Sequence, residues 1–348
     1  MNRFLDLLAT RPWLIADGAM GTSLFSLGLE TGDSPELWNL QHGEKIRAVH
    51  RGFLQAGSDL ILTNSFGGTS FRLALHDLAP RCQELNHAAA GLARSEADRF
   101  TDLTGRSIAV AGSIGPTGEL FEPLGTLTRA AALTAFSQQA EALKAGGADV
   151  LWVETMSSKE EVEVAYEAAA ATGLPVVCTM TFDTNACTMM GIRPEHFVRI
   201  TDDFSRPPTA FGANCGVGPA ELLESLCAMA AVADDNAVLV AKGNCGIPEY
   251  KDGKIHYHGS PETMADYAIL ARDAGARIIG GCCGSAAEHI AAMAAALAQQ
   301  PLARPVNPER LAATLGVPWQ KADPPPAGSA DGGTAATAHG DRRRRRRR

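Results

Sequence analysis

A repeated alternation of short apolar segments and helical patterns constrains this chain more than any other feature. Each apolar segment holds four or five residues, mostly aliphatic or β-branched, and a helical pattern follows it. The eight segments are 13–16, 60–63, 108–111, 150–153, 176–180, 209–213, 237–241 and 276–279. Short strands that alternate with helices predict a parallel β-sheet, because each helix returns the chain to the edge where the next strand begins.

Eight strand–helix units favour a closed barrel over an open sheet. We predict an α/β fold in which residues 1–300 form a (β/α)8 TIM barrel, with an active site at the carboxyl ends of its strands. A doubly wound open sheet is the alternative, but it usually has fewer units and a Gly-x-Gly-x-x-Gly turn after an early strand. The sequence has no such motif after the first segment.

The last fifty residues differ from the rest in composition. Residues 301–320 combine several prolines with one short apolar patch, and we predict that they form an extension of the barrel. Residues 321–348 are rich in proline, glycine, alanine and charge, and we predict a disordered, Arg-rich tail because they cannot bury enough apolar surface to order. The final seven residues are all arginine, whereas the remainder has 24 basic and 39 acidic side chains, a formal charge of −15.

The arginine run suggests a function of another class, in which the cysteines of the barrel are structural and the tail binds nucleic acid. Basic runs bind phosphate backbones by releasing counterions. On an acidic body, however, a solvated tail is the favoured interpretation, so nucleic acid is not an expected partner.

The sequence predicts a cytoplasmic protein without membrane contact. It has no apolar stretch long enough for a transmembrane helix, and its N-terminus has an early acid at Asp6 and no long apolar core. Without a secretion signal, the eight cysteines are interpreted as reduced thiols. The oligomeric state is left open, with a homo-oligomer among the alternatives.

Two glycine-flanked cysteine motifs point to a metal site. Cys282 and Cys283 stand side by side within 280–284, and Cys215 follows the sixth apolar segment. Adjacent side chains on a regular strand face opposite ways, so the strand must break for both thiols to reach one target, and glycine permits that break. Three cysteines and one open position are typical of a catalytic zinc site. The alternatives are small buried residues at a strand end, or a closed structural site in which Cys245 is the fourth ligand.

Two carboxylates also follow predicted strands. Asp17 ends the first strand and Glu154 ends the fourth, so a barrel would bring both to the rim that carries the cysteines. At such a rim a carboxylate either serves the chemistry or accepts backbone N–H bonds from the turn that follows it. We favour a functional role for both, and acid–base work on a carbonyl substrate is the competing enzymatic hypothesis.

Four motifs together resemble the zinc-dependent homocysteine S-methyltransferase family, which includes betaine–homocysteine methyltransferase and the homocysteine-binding module of cobalamin-dependent methionine synthase. The motifs are Asp17-Gly18-Ala19-Met20-Gly21-Thr22, Ser113-Ile114-Gly115-Pro116-Thr117-Gly118, Gly212-x-Asn214-Cys215-x-x-Gly218-Pro219 and Gly280-Gly281-Cys282-Cys283-Gly284. They occur in the family's order between about residues 10 and 300.

The resemblance implies a methyltransferase that converts homocysteine to methionine. It implies Zn²⁺ on Cys215, Cys282 and Cys283, and an amino group of homocysteine held by Asp17 and Glu154. Gly18 and Asn214 belong to the same motifs and are expected to contact the substrate. In the methionine synthase module an alanine stands at the position of Cys245, so the resemblance makes Cys245 a neighbour of the metal site instead of a ligand.

The methyl donor is the part of the reaction that the sequence predicts least. The animal betaine enzymes have tyrosines where this chain has Gly67 and Thr155, and the chain has no Asp-x-His-x-x-Gly cobalamin signature. We predict methylcobalamin on a separate protein, with betaine as the close alternative and S-methylmethionine as a further candidate. An onium donor would need aromatic faces. The candidates near the rim are Trp38, Phe66, Phe71, Phe121, Tyr250 and Tyr257.

Overall fold

The computed structural model contains a closed parallel barrel, as the alternation predicts. It describes residues 2–251, 254–300 and 304–319. Seven parallel ladders join its eight strands side by side. A parallel bridge between Ala16 and Leu60 joins the first and last strands of this row and closes the barrel.

The strands agree in number and position with the predicted segments, apart from an inserted hairpin. The barrel strands are β1 (Leu14–Ile15), β2 (Leu60–Leu62), β3 (Ala109–Ile114), β4 (Val150–Met156), β5 (Val176–Met180), β6 (Ala210–Cys215), β7 (Leu239–Gly243) and β10 (Ala276–Gly281). Around the barrel these strands follow the order β1-β10-β7-β6-β5-β4-β3-β2. The hairpin strands β8 (Glu249–Lys251) and β9 (Lys254–His256) pair antiparallel between β7 and the next helix.

Helices follow the strands and form the outer layer. They are α1 (Arg3–Thr10), α2 (Met20–Ser26), α3 (Trp38–Gln41), α4 (Gly43–Ala56), α5 (Ser70–Ala74), α6 (Cys82–Thr104), α7 (Arg129–Ala145), α8 (Lys159–Ala171), α9 (Pro194–Asp202), α10 (Pro219–Ala230), α11 (Pro261–Asp273), α12 (Ala287–Gln299) and α13 (Pro308–Leu315). Two single 3₁₀ turns cover Pro35–Leu37 and Ala79–Arg81. None of the helices in these described ranges is long and apolar enough to cross a membrane.

Local sequence determines where several helices begin and end. The side chains of Thr128, Ser158 and Ser260 accept hydrogen bonds from the first turns of α7, α8 and α11. Gly57 and Gly105 end α4 and α6 in the left-handed conformation, which glycine adopts without steric cost.

Inward-facing strand residues fill the barrel. Alternate residues of β1 and β2 point into it, and Trp152 of β4 is fully buried there, beside alanines from β3 and β6. Phe4 of α1 belongs to the same cluster, so α1 contributes apolar side chains to the barrel interior. This packed interior leaves the opposite, carboxyl end of the barrel for a site.

The compact unit continues beyond the predicted barrel boundary to Pro318. Leu311 of α13 is buried in the layer between strands and helices, and Arg310 Nη2 lies 2.7 Å from Asp273 Oδ2 at the end of α11. The part of the predicted extension (301–320) at 304–318 therefore packs on the barrel. The disordered Arg-rich tail predicted for 321–348 lies outside the described residues.

Candidate active site

Three cysteine sulfurs meet at the carboxyl end of the barrel. The Sγ atoms of Cys215, Cys282 and Cys283 all lie within 4.8 Å of one another, and those of Cys215 and Cys283 are 3.9 Å apart. Cys215 is the last residue of β6, whereas β10 ends at Gly281, so the vicinal pair lies just beyond its strand. The strand ends where the glycine-flanked motif predicts a break.

Backbone contacts hold the two cysteines of the β10 turn. Cys282 N donates to Gly243 O of β7 at 2.7 Å, and Cys245 N donates to Cys283 O at 2.9 Å. Gly284 follows with φ +83° and Cys215 has φ +62°, which is uncommon for a residue other than glycine. These left-handed residues turn the chain so that sulfurs from two strands converge.

The three thiols strongly influence one another. Hydrogen bonds from Cys215 and Cys282 lower the pKa of Cys283, whereas hydrogen bonds with Cys282 and Cys283 raise the pKa of Cys215. Negative charge in the cluster is therefore favoured on the sulfur of Cys283, which accepts hydrogen bonds from the other two thiols. Cys245, the candidate fourth ligand, is fully buried beside this turn but is not a member of the group of mutually close ligand atoms.

A cavity of about 260 Å³ opens next to the cysteines. Asp17, Gly18, Glu154 and all three cysteines line it, as do Glu36 and Lys242. The predicted carboxylates and thiols, which come from strands far apart in sequence, therefore share one cavity. A cavity of this size suits a small molecule and is below the usual range for drug-sized ligands.

Glu154 reaches the cavity from β4 and is almost fully buried. Its Oε1 accepts a hydrogen bond of 2.5 Å from Ser113 Oγ of β3. Burial raises the pKa of Glu154 to about 7, against the opposing charge of Lys242. Glu154 can therefore gain or lose a proton near neutral pH.

Asp17 lies at the end of β1 and bonds to two other strands, β7 and β2. Its Oδ1 is 2.8 Å from Lys242 Nζ of β7, and its Oδ2 accepts the Leu62 N–H of β2 at 2.7 Å. Burial raises the pKa of Asp17, and Lys242 and Leu62 oppose that effect. The ion pair with Lys242 is almost completely removed from solvent.

Lys242 lines the cavity, but the sequence analysis missed it because it directly follows the seventh predicted segment. A charged side chain at the end of a buried strand is a signal, because lysine is almost never fully buried without a partner. Glu36 was missed too, since it lies in a loop helix; its Oε1 accepts the Gly67 N–H at 2.7 Å.

Gly18 and Asn214, the other predicted substrate contacts, differ in position. Gly18 lines the cavity, and a Cβ there would come within 2.5 Å of Ser285 O. Asn214 is not among the residues that line the cavity; its Oδ1 accepts hydrogen bonds from Thr155 N and Thr179 Oγ1, at 2.8 and 2.7 Å. Its amide thus links β4, β5 and β6, and its substrate contact stays a prediction.

Comparison with solved structures matches the whole barrel. The homocysteine methyltransferase MmuM from Escherichia coli, in its metallated form, superimposes with a TM-score of 0.71 and 25% identity over 84% of this chain and 99% of MmuM. Its oxidised form gives a TM-score of 0.70 at 25% identity, over 85% of this chain and 99% of the other.

Sequence comparison finds relatives among the methionine synthases. Methionine synthase of Mycobacterium tuberculosis is 29% identical over 307 residues, and that of Mycobacterium leprae is 28% identical over 308 residues. These alignments cover 84% and 85% of this chain, which spans only 25% of the length of either enzyme. The sequence model of the homocysteine S-methyltransferase family matches residues 14–297, from β1 to the last turns of α12. This chain therefore belongs to the homocysteine S-methyltransferase family, whose members are methyltransferases.

Proposed function

We propose that this protein transfers a methyl group to the sulfur of homocysteine and forms methionine, with Zn²⁺ held by Cys215, Cys282 and Cys283. The observation that carries the proposal is the convergence of three thiols and two acidic side chains on one small cavity. Family membership and the metallated relative MmuM support it.

The cysteine cluster fits zinc by its donor chemistry and its spacing. Sulfurs about 2.3 Å from a tetrahedral zinc lie about 3.8 Å apart. The 3.9 Å between the sulfurs of Cys215 and Cys283 is close to that value. Because three protein ligands face a cavity, a fourth position remains for a substrate atom, as in catalytic zinc sites. This arrangement favours the catalytic interpretation over structural cysteines.

The protein's own residues would bind and orient the acceptor. When bound, zinc would stabilise the thiolate form of an acceptor thiol, which is mostly protonated near pH 7 when free. Glu154 and Asp17 provide negative charge for the acceptor's ammonium group within the same cavity. The cavity thereby fixes a short amino-acid thiol at both ends, and a fixed sulfur can be aligned with a methyl group for in-line displacement.

The methyl donor has to reach the sulfur from the open end of the barrel. Only one of the candidate aromatic side chains, Phe66, is among the residues that line the cavity. Phe66 is 40% exposed, and the loops after β3 and β5 also expose large apolar side chains, Leu124 and Met189, each at 72%. An exposed apolar rim favours a donor carried on a separate protein, such as methylcobalamin, over an onium compound enclosed by aromatic faces.

Betaine is the second candidate donor, and one further contact favours it. Tyr257 packs against Gly284, directly after the vicinal cysteines. A Cβ added at Gly284 would lie 2.4 Å from Cγ of Tyr257. Among the candidate aromatic side chains that the structure describes, Phe66 and Tyr257 thus lie close enough to the site to contact an onium group. S-methylmethionine would use the same rings.

Metal analysis and methionine formation test the proposal together. Protein purified under reducing conditions should carry about one zinc per chain and form methionine from homocysteine with one of the three donors. The Cys283→Ala variant should lose both properties. Cys187→Ala is the matched control, because Cys187 is a half-buried free cysteine outside the cluster, and this variant should keep both.

Three results would count against parts of this proposal. Fully active metal-free protein would show that the cysteines are structural and would favour acid–base chemistry by Glu154. Rapid turnover with betaine alone would overturn the preference for a carrier protein. Deletion of residues 321–348 should leave turnover unchanged, whereas loss of turnover would show that the barrel needs its tail.

A further inference from the structure

Lys242 is a buried cation inside the cavity that the proposed function has not used. Its side chain is only 2% exposed, and it lies at the end of β7. Its Nζ is 2.8 Å from Asp17 Oδ1 and 3.2 Å from Asp17 O, and it lies 5.9 Å from the centre of the Trp152 ring. Burial lowers the pKa of Lys242, but Asp17 and Glu154 outweigh burial and raise it, so the side chain is protonated.

This lysine takes up the hydrogen-bonding capacity of Asp17. One carboxylate oxygen of Asp17 contacts Lys242, and the other accepts the Leu62 N–H. The main-chain oxygen of Asp17 also accepts the Gly281 N–H at 3.1 Å. Asp17 is 1% exposed, and both of its carboxylate oxygens already have a partner within the protein, so neither is left unbonded for the ammonium group of a substrate.

Glu154 is in the opposite situation. Only its Oε1 is bonded, to Ser113, and its Oε2 has no hydrogen-bond partner within the described ranges. Lys242 likewise has capacity left, because an ammonium group has three N–H donors and Asp17 accepts two. One free acceptor and one free donor, of opposite charge, therefore line the same cavity.

We infer that Lys242 determines acceptor specificity by binding the carboxylate of the acceptor amino acid, while Glu154 alone binds its ammonium group. This inference rests on the proposed function and refines it, because it removes Asp17 from direct substrate contact. A zwitterion is electrically neutral, and each of its charges then meets one opposite charge. An acceptor thiol without the ammonium group would leave Glu154 buried without a cationic partner, and one without the carboxylate would leave the third N–H of Lys242 without an acceptor; both are costly.

Three thiols that differ in one charged group test the inference. Homocysteine carries both groups, 4-mercaptobutanoate lacks the ammonium group, and 3-aminopropane-1-thiol lacks the carboxylate. Their dissociation constants are measured by calorimetry on the zinc-loaded protein. The readout is binding, so no methyl donor is needed.

The variant pair Lys242→Met and Glu154→Gln should give mirror-image results. Lys242→Met should weaken homocysteine and 4-mercaptobutanoate by about ten- to a hundredfold and leave 3-aminopropane-1-thiol unchanged or tighter. Glu154→Gln should weaken homocysteine and 3-aminopropane-1-thiol and spare 4-mercaptobutanoate. A purely structural role of Lys242 would weaken all three thiols alike.

A double variant protects the test against misfolding. Lys242→Met alone leaves Asp17 buried and unpaired, which is strongly destabilising, whereas Asp17→Asn/Lys242→Met removes both charges at once. The double variant should show the same loss of affinity for homocysteine and 4-mercaptobutanoate, the two thiols that carry a carboxylate. Equal weakening of all three thiols, or no weakening, would overturn the inference alone. Wild-type protein that binds homocysteine no better than either truncated thiol would overturn the inference and the proposed function together.

Discussion

Replacing Asn214 with alanine removes three hydrogen bonds that join the ends of β4, β5 and β6. The amide accepts from Thr155 N at 2.8 Å and from Thr179 Oγ1 at 2.7 Å, and it donates to Thr155 Oγ1 at 2.7 Å. Thr155 has φ +61°, an outlier for a β-branched residue, and such a backbone persists only where surrounding contacts hold it. Asn214 thus holds the backbone of Thr155, the residue that directly follows Glu154.

The expected cost follows from those bonds. Each contributes about 0.5–1.5 kcal/mol, and the half-buried Thr155 N–H is left without its acceptor, so the free energy of unfolding should fall by about 2–4 kcal/mol. Release of Thr155 should also misplace Glu154, so homocysteine should bind at least about tenfold more weakly. Urea unfolding measures the first quantity and calorimetry the second.

The Thr179→Val variant is the control, because it removes one of the three bonds and keeps the shape of the side chain. It should cost about 1 kcal/mol and leave binding nearly unchanged. If Asn214→Ala unfolds within about 0.5 kcal/mol of the wild-type protein, or binds homocysteine normally, the amide does not hold the strand ends as argued.

Three further changes test other parts of the structure. The pKa of Glu154 is raised to about 7, and Glu154 binds an ammonium group only when it is ionised. The ratio of homocysteine affinities, wild type over Glu154→Gln, should therefore fall about tenfold from pH 8 to pH 6, and a pH-independent ratio in calorimetry would contradict this. Burial lowers the pKa of His50 to about 3, so below the unfolded-state pKa of about 6.5 the unfolded chain binds a proton that the folded protein does not. The wild-type protein should therefore lose about 1.4 kcal/mol of unfolding free energy between pH 7.5 and 5.5 that the His50→Leu variant does not lose; equal losses of the two proteins in urea unfolding would refute this. Gly18→Ala should destabilise by about 1–3 kcal/mol, since its Cβ would meet Ser285 O at 2.5 Å, whereas Gly21→Ala meets nothing within 4 Å and should be neutral or slightly stabilising in thermal unfolding.

Local patterns predicted the architecture of this protein and the convergence of three of its cysteines. Eight apolar segments, each with a helix after it, can bury their surface economically only in a parallel sheet, and their number favours closure. The position of Cys215, Cys282 and Cys283 at strand ends then places all three thiols at one rim, because every barrel strand ends on the same side. Glycines around the vicinal pair predicted the break in β10, which a regular strand would not allow.

Tertiary structure alone decided which side chains pair across that rim. Lys242 and Asp17 are 225 residues apart, and their contact depends on the registers of β1 and β7 with β10, the strand between them, which no local pattern specifies. The same holds for Asn214, whose motif predicts a substrate contact but whose amide bonds to Thr155 and Thr179 on adjacent strands. A sequence determines the end of the barrel at which a polar residue lies. Whether its charge is free for a substrate or already neutralised by the protein depends on distances of a few ångströms, which only the packed strands fix.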